Sequence, residues 1–401
     1  MKRLYESALA LHFSDHSQMA FVSGPRQVGK TTLALSIQSE KDTEYLNWDD
    51  IGDRELILKG SKSIAQHVGL EQLRENPILV VFDEIHKYPN WKQLLKGFYD
   101  RYKNDCQILV TGSARMDVFK KGGDSLMGRY FNYRLHPISV SELKERRYPS
   151  NEIRKPSKPN DDEYMDLYRW GGFPEPYLKK NLRFFNRWSR LREQQLLNED
   201  IRDLTGVQQI GQMELLASLL KNQVGQLTSY SQLAKKVRVS VDTVRRWISI
   251  LEAMYFCFSI RPWTKNVTRS LLKEPKYYLW DWAQCGDVGS QNENFIASHL
   301  LKSVHFWTDQ GFGDYQLYFL RDKEKREVDF LVSKDGNPWF LVEVKSTMKE
   351  SLSPNLERFG NQLSIKHIFQ VALDGEYVDR DVFKLERPAI IPAKTFLSQL
   401  I

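Results

Sequence analysis

Cysteine is scarce. The 401 residues hold 3 cysteines, Cys106, Cys257 and Cys285, widely separated and with no CxxC pair among them. That excludes a disulfide-built scaffold and predicts reduced, mostly buried thiols, as in cytosolic proteins. Long apolar runs are also missing: no stretch approaches the ~20 residues needed to cross a bilayer. No membrane partner is therefore expected. The opening Met1-Lys2-Arg3-Leu4-Tyr5-Glu6 lacks the apolar core of a signal peptide, so the expected location is cytoplasmic. No long segment has a disordered composition: 41% of residues are hydrophobic and 12% aromatic, ample for true cores. A chain of this length predicts about two to four domains. The net charge of +7 permits a nucleic-acid partner without requiring one.

Against this background one motif stands out. Gly24-Pro25-Arg26-Gln27-Val28-Gly29-Lys30-Thr31 has the spacing of a phosphate loop: Gly, four residues, then Gly-Lys-Thr. Met19-Ala20-Phe21-Val22-Ser23 ahead of it is apolar, as a buried strand is, and Thr31-Thr32-Leu33-Ala34-Leu35-Ser36-Ile37 behind it has helical character. A strand, a tight loop and a helix start aim several backbone N–H groups at one spot, where partial positive charge suits a polyphosphate. The expected ligand is ATP, held by Gly24 to Thr32. Lys30 reaches the β- and γ-phosphates, and the Thr31 hydroxyl ligates Mg²⁺.

A second motif supplies what the first needs. Ile78-Leu79-Val80-Val81-Phe82-Asp83-Glu84 is a continuous apolar run ending in two acids, the pattern of a buried parallel strand. Ligands of open α/β sheets bind at the carboxyl ends of strands. Asp83 is expected to hold Mg²⁺ and Glu84 to polarise the attacking water, which favours hydrolysis over mere binding.

Residues 1–145 alternate strands (19–23, 44–47, 78–83, 107–112, 130–135) with helices (30–39, 61–75, 90–103, 114–121), which predicts a parallel sheet covered by helices. The 107–112 strand ends in small polar residues, and Thr111 or Ser113 is the expected polar sensor of the γ-phosphate. Arg115 or Arg129 can stabilise the transferred phosphoryl group, from the same or a neighbouring subunit of a homo-oligomer; Arg129 is preferred.

Together, Gly24 to Thr31, the Asp83-Glu84-Ile85-His86-Lys87 stretch with Pro89-Asn90-Trp91, and Thr111-Gly112-Ser113-Ala114 resemble the AAA-type ATPases of bacteria and archaea. The resemblance is to the subgroup carrying a C-terminal domain of undefined function, and it covers the whole chain. His86 and Trp91 belong to the shared motif without an evident chemical role.

The middle of the chain is helical. Pro149, Pro156 and Pro159 mark a linker, with helices resuming near Glu163, and Gly171-Gly172-Phe173-Pro174-Glu175-Pro176 is a break. Arg183, Arg187, Arg190 and Arg192 lie among Phe184, Phe185 and Trp188, a pattern better explained by packed aromatics and solvated arginines than by phosphate contact. Residues 228–256 have the spacing of a helix-turn-helix, with Ser240 as N-cap of the second helix and Lys276-Tyr277-Tyr278-Leu279-Trp280 as a following strand, hence a winged one. Thr243, Arg245 and Arg246 are its candidate DNA contacts, set against a role as lid or docking surface.

The last segment reads helix (291–302), strands (315–320, 326–332, 338–345), helix (353–363), strand (366–372), with a hairpin at Lys334-Asp335-Gly336-Asn337. Side chains alternate on a strand, so Glu343 and Lys345 share a face, where Asp329 on the adjacent strand can meet them. Two carboxylates and an ammonium in one place can bind a divalent ion and position water against a phosphodiester, with Glu293 completing the site. This order resembles the PD-(D/E)xK nuclease fold; the resemblance implies Asp329, Glu343 and Lys345 as catalytic residues and Glu293 as the helix acid.

The expected architecture is α/β: a P-loop NTPase parallel sheet (1–145), a helical linker or lid (146–210), a winged helix-turn-helix (211–285) and a restriction-endonuclease-like domain (286–401). The expected activity is ATP binding and hydrolysis, acting on DNA or other nucleic acid, with a Mg²⁺-dependent nuclease controlled by nucleotide state. The alternative is an ATP-driven switch that binds DNA or protein and whose last domain is catalytically silent.

Overall fold

A computed structural model describes residues 2–38, 42–112, 126–202, 207–264 and 273–401. The chain divides into two compact units, residues 1–136 with 146–148, and residues 137–145 with 149–401.

The first unit is a five-stranded parallel sheet, β1 (Met19–Ser23), β2 (Thr43–Asn47), β3 (Ile78–Asp83), β4 (Cys106–Gly112) and β5 (Tyr130–Arg134), in the order β2-β3-β4-β1-β5. β1 and β3 are buried along their whole length, as their unbroken apolar runs require of central strands. The observed strands lie within one residue of the expected bounds. The helices differ more. The expected 61–75 helix stops at Val68, because Gly69 (φ 72°) takes a left-handed cap. An unforeseen helix, Ile51–Leu58, is started by Asp50, whose side chain accepts from the Gly52 and Asp53 N–H groups. Another, Leu4–Asp15, buries Leu4, Tyr5, Ala8, Leu9 and Phe13. The expected 114–121 helix, with Ser113 and Arg115, lies outside the described residues.

The second unit is organised on a seven-stranded mixed sheet: β6 (Cys257–Pro262), β7 (Lys276–Leu279), β8 (Tyr315–Arg321), β9 (Glu327–Lys334), β10 (Asn337–Lys345), β11 (His367–Ala372) and β12 (Ala389–Pro392), in the order β12-β11-β10-β9-β8-β6-β7. Helix Val288–Asp309 packs on it through buried residues such as Phe295, Leu300 and Trp307. β9 and β10 form the expected hairpin, with Asp335 (φ 50°) and Gly336 (φ 78°) both left-handed at its tip. Helices Tyr230–Val237 and Val241–Ala253 are joined by Arg238 in a left-handed turn, and the Ser240 hydroxyl accepts from the Thr243 N–H at 3.1 Å. β6 follows this pair and bonds to β7 on one side and to β8 on the other, through Arg261 opposite Tyr318 and Pro262 opposite Phe319. Residues assigned from sequence to separate domains on either side of 285 thus share one sheet.

Candidate functional site

In the first unit the site grows from the carboxyl ends of β1, β3 and β4. Past Ser23 the chain turns through Gly24–Gly29 into the helix beginning at Lys30. Gly24 is obligatory, since a Cβ there would stand 2.4 Å from the Leu135 carbonyl oxygen. Gln27 (φ 62°) and Gly29 (φ 101°) are left-handed, and such alternation curls a loop so that its N–H groups converge. Pro25 and Val28 are buried, Arg26 is half-buried, and Gln27, Thr31 and Thr32 are exposed. Arg3, which sequence reasoning passed over, pins the loop: its buried guanidinium donates to Val28 O at 3.2 Å and to His136 O at 2.6 Å. Lys30 Nζ is held by loop carbonyls, Gly24 O at 3.0 Å and Pro25 O at 2.7 Å.

Asp83, 3% exposed, joins loop to sheet. Its Oδ2 accepts from Thr31 Oγ1 at 2.9 Å and from Tyr45 OH, and its Oδ1 from Thr111 Oγ1. Three hydroxyl donors on one buried carboxylate keep it an acceptor in place for a hard cation beside the Thr31 oxygen, so the donor set suits Mg²⁺. Burial and the neighbouring Asp83 push the Tyr45 phenol up, so Tyr45 stays a donor. Tyr45 went unnoticed in the sequence; its signal is position, on the strand paired with β3, where Asn47 stands opposite Asp83. Thr111, a proposed sensor, reaches Asp83 rather than standing apart from it.

Glu84 has φ 54°, a strained backbone for a non-glycine residue of the kind found at functional positions. Its carboxylate lies 3.6 Å from His86 Nε2 and 3.8 Å from Lys87 Nζ. The His86 side chain is 3% exposed, and burial holds its pKa below the ordinary value against the pull of Glu84. Trp91 packs in the core near Phe21.

Arg129 is placed differently from the expectation. It directly precedes β5, where Tyr130 is opposite Met19, whereas the phosphate loop leaves the far end of β1. The four residue steps from Met19 to Ser23 separate the two by about 13 Å at ~3.3 Å per residue. Arg129 forks onto Asp100, at 2.7 and 3.0 Å. Within its own chain Arg129 is paired with Asp100, so a contribution to a neighbouring subunit is the reading kept for it.

The second unit gathers the acids of the last segment. Glu343 and Lys345 share a face of β10, 3.3 Å apart, and Val344 N donates to Asp329 Oδ2 at 2.8 Å. Burial, with Glu293 and Glu343 nearby, raises the Asp329 pKa well above the usual carboxylate range, against Lys276. Burial also raises Glu343, against Lys345. Glu293 Oε1 accepts from Tyr278 OH at 2.6 Å and meets Lys276 Nζ at 3.2 Å. Lys276 is the residue that sequence reasoning missed. Its side chain is 4% exposed, and its ammonium also meets Glu327 at 2.6 Å. The available signal was a lone charge opening an otherwise apolar strand. Among the described residues no three acidic, histidine or cysteine side chains are grouped as a metal ion would require. Glu293, Asp329 and Glu343 are thus brought together, but with a lysine among them, and the set does not fit a divalent ion.

On helix Val241–Ala253, Arg245 and Arg246 are exposed, with the Arg245 guanidinium 5.4 Å over the Tyr230 ring. Thr243 is half-buried, its hydroxyl 2.8 Å from that of Ser240. An open groove of about 500 Å³ beside this helix has Arg245, Arg261 and Lys273 with Glu252 and Glu274 in its walls. On helix Leu182–Gln194, Arg183, Arg187 and Arg190 are exposed, while Arg192 stacks on Phe173 at 4.0 Å.

Residues 16–144 match the family model of an AAA domain. Residues 161–287 and 288–383 each match a domain of unknown function (DUF8612 and DUF4143). Among curated proteins, the chain is 23% identical over 357 residues to an uncharacterised protein of Mycobacterium tuberculosis, covering 86% of this chain and 74% of that one. It is 22% identical over 426 residues to an uncharacterised protein of Methanocaldococcus jannaschii, covering 96% and 85%. Among solved structures, it is similar to a Walker-type ATPase of Pyrococcus abyssi (TM-score 0.44, 14% identity, 71% of this chain and 94% of that one). It is also similar to AMPPCP-bound DnaA of Aquifex aeolicus (TM-score 0.33, 12% identity, 62% and 87%). No helix among the described residues is long and apolar enough to cross a membrane. Residues 16–144, which carry the phosphate loop and the acid-ended β3, are thus similar to an AAA domain, in keeping with an AAA-type P-loop ATPase.

Proposed function

We propose that the chain binds ATP with Mg²⁺ in the Gly24–Thr32 loop and hydrolyses it. The observation that carries this reading is the 2.9 Å bond from the Thr31 hydroxyl to Asp83, which joins the loop to the strand end as a shared cation site demands. When bound there, magnesium neutralises phosphate charge. Lys30 releases the loop carbonyls and takes the β- and γ-phosphates instead. The convergent N–H groups of the loop cradle the phosphate chain. Glu84, held out by its left-handed backbone, accepts a hydrogen bond from the attacking water and orients it. Thr111 keeps Asp83 in place. Ser113 and Arg129 are further proposals, the latter only from a second copy in a homo-oligomer. The test is direct: Lys30→Ala abolishes binding of labelled ATP, whereas Glu84→Gln keeps binding and stalls phosphate release. Unchanged release in Glu84→Gln sinks the role given to that residue.

For the second unit, Lys276 in the acid cluster favours the silent reading over the nuclease one. We infer a module that grips nucleic acid or protein in the cytoplasm under control of the nucleotide state, with Arg245 and Arg246 as candidate DNA contacts. Plasmid and single-stranded substrates incubated with Mg²⁺ or Mn²⁺, with and without ATP, decide between the two. Cleavage lost in Asp329→Ala and Lys345→Ala would restore the nuclease, with Glu343 and Glu293 as its further acids.

A further inference from the structure

Four carboxylates converge where β7, β9, β10 and helix Val288–Asp309 meet: Glu293, Glu327, Asp329 and Glu343. Three cations answer them. Lys276 meets Glu293 and Glu327, Arg321 Nη1 meets Glu327 Oε2 at 2.6 Å, and Lys345 meets Glu343. Lys345 is shared with the more exposed Glu350 at 3.9 Å, so it is not dedicated to the cluster. Lys276, with carboxylates at 2.6 and 3.2 Å, is placed as a bound cation would be, and its removal frees Glu293 and Glu327 for another cation.

The three cations are not equivalent. Lys345 and Arg321 keep 28% and 29% of their side-chain surface in solvent, while Lys276 keeps 4%. Lys276 bridges the helix acid to β9, and Tyr278, two residues on along the same face of β7, donates to the same Glu293 oxygen. Gly225 closes the far side: a Cβ on it would lie 3.0 Å from the Glu293 carboxylate. One Glu343 oxygen is buried with no hydrogen-bond partner.

We propose that the Lys276 ammonium stands in the cation position of this cluster, so that the natural chain holds its four acids together without a divalent metal. The inference does not rest on the ATPase reading, and the nucleotide-free protein tests it.

Mn²⁺ titrations followed by electron paramagnetic resonance compare the parent chain, Asp329→Asn, Lys276→Met and the double variant. The parent and Asp329→Asn are expected to titrate alike. Lys276→Met is expected to gain about one Mn²⁺ per chain, with affinity raised on the order of tenfold or more through the freed charge, and the double variant to lose it again. A parent chain that binds Mn²⁺ in a manner lost in Asp329→Asn overturns the proposal, as does a folded Lys276→Met that gains nothing. Should Lys276→Met fail to fold, the first pair still decides: identical titrations support the proposal and differing ones end it.

Discussion

Each compact unit sets an aspartate at a sheet position where a metal ion has been expected, Asp83 buried and Asp329 half-buried, and the two are satisfied by opposite means. Asp83 accepts from three neutral hydroxyls, those of Thr31, Tyr45 and Thr111. Its charge is oriented but not cancelled, and a cation can still be drawn to it. Asp329 accepts from the Val344 N–H, and its neighbours Glu293 and Glu327 are met by the Lys276 ammonium. The difference teaches that acid spacing along a strand does not define a metal site. What stands opposite the acids does, and that group arrives from elsewhere in the chain.

Removing Lys276 tests the contrast most severely. Lys276→Met removes a buried ammonium and leaves half-buried Glu293 to the Tyr278 hydroxyl and half-buried Glu327 to Arg321, a loss expected to cost about 3 kcal/mol in urea unfolding at neutral pH. If the cluster then accepts Mn²⁺, added Mn²⁺ restores part of that loss. A change within about 0.5 kcal/mol would mean that the pair is merely tolerated.

Acid pH compares the two units next, since each hides a neutral histidine. In the second unit His299 accepts from the Val140 N–H and bonds the Phe295 carbonyl, and burial holds its pKa at about 3, against an ordinary 6.5. In the first, His12 bonds Gln18 O and Tyr133 OH, and burial holds it at about 4. Above pH 6.5 both are neutral in folded and unfolded chains and cost nothing. Below it the unfolded chain binds protons that the folded chain refuses, so stability falls with pH through the window down to about 3 and 4 respectively. At pH 4 the His299 contribution is about 3 kcal/mol. His299→Gln, still able to bond Val140 and Phe295, should flatten that slope in denaturant melts; an unchanged slope assigns acid sensitivity elsewhere.

Tyr45→Phe probes the hydroxyl side with the smallest expected effect. Losing one donor to Asp83 is worth about 1 kcal/mol, expected as a roughly fivefold rise in the Mg²⁺ needed for half-maximal ATP turnover. If only protein stability moves and the Mg²⁺ dependence does not, Tyr45 merely packs.

Much of the fold was legible because it is periodic or local. The apolar runs of β1 and β3, the small residues of the phosphate loop and the Asp335-Gly336 turn each carry their own signal over a few residues. The grouping of Glu343 and Lys345 with Asp329 also followed from strand alternation, while Glu293 came from the preceding helix and the fold resemblance. What escaped is long-range. Arg3 reaches Val28 and His136, and Tyr45 reaches Asp83, across spans that leave no trace in spacing. Lys302, buried with Glu142, Ser139 and the Pro137 carbonyl 160 or more residues earlier in the chain, is another such case. Helix Ile51–Leu58 hid for the opposite reason: it is short and shows only one buried side chain, Ile57.

Because β8 takes β6 as its outer neighbour, a fragment beginning at 286 would carry β8 with one flank stripped of its partner and Lys276 left behind. Such a piece invites edge-to-edge association between copies. A gene truncated there would yield aggregates or a charge-frustrated remnant, whatever the intact polypeptide does.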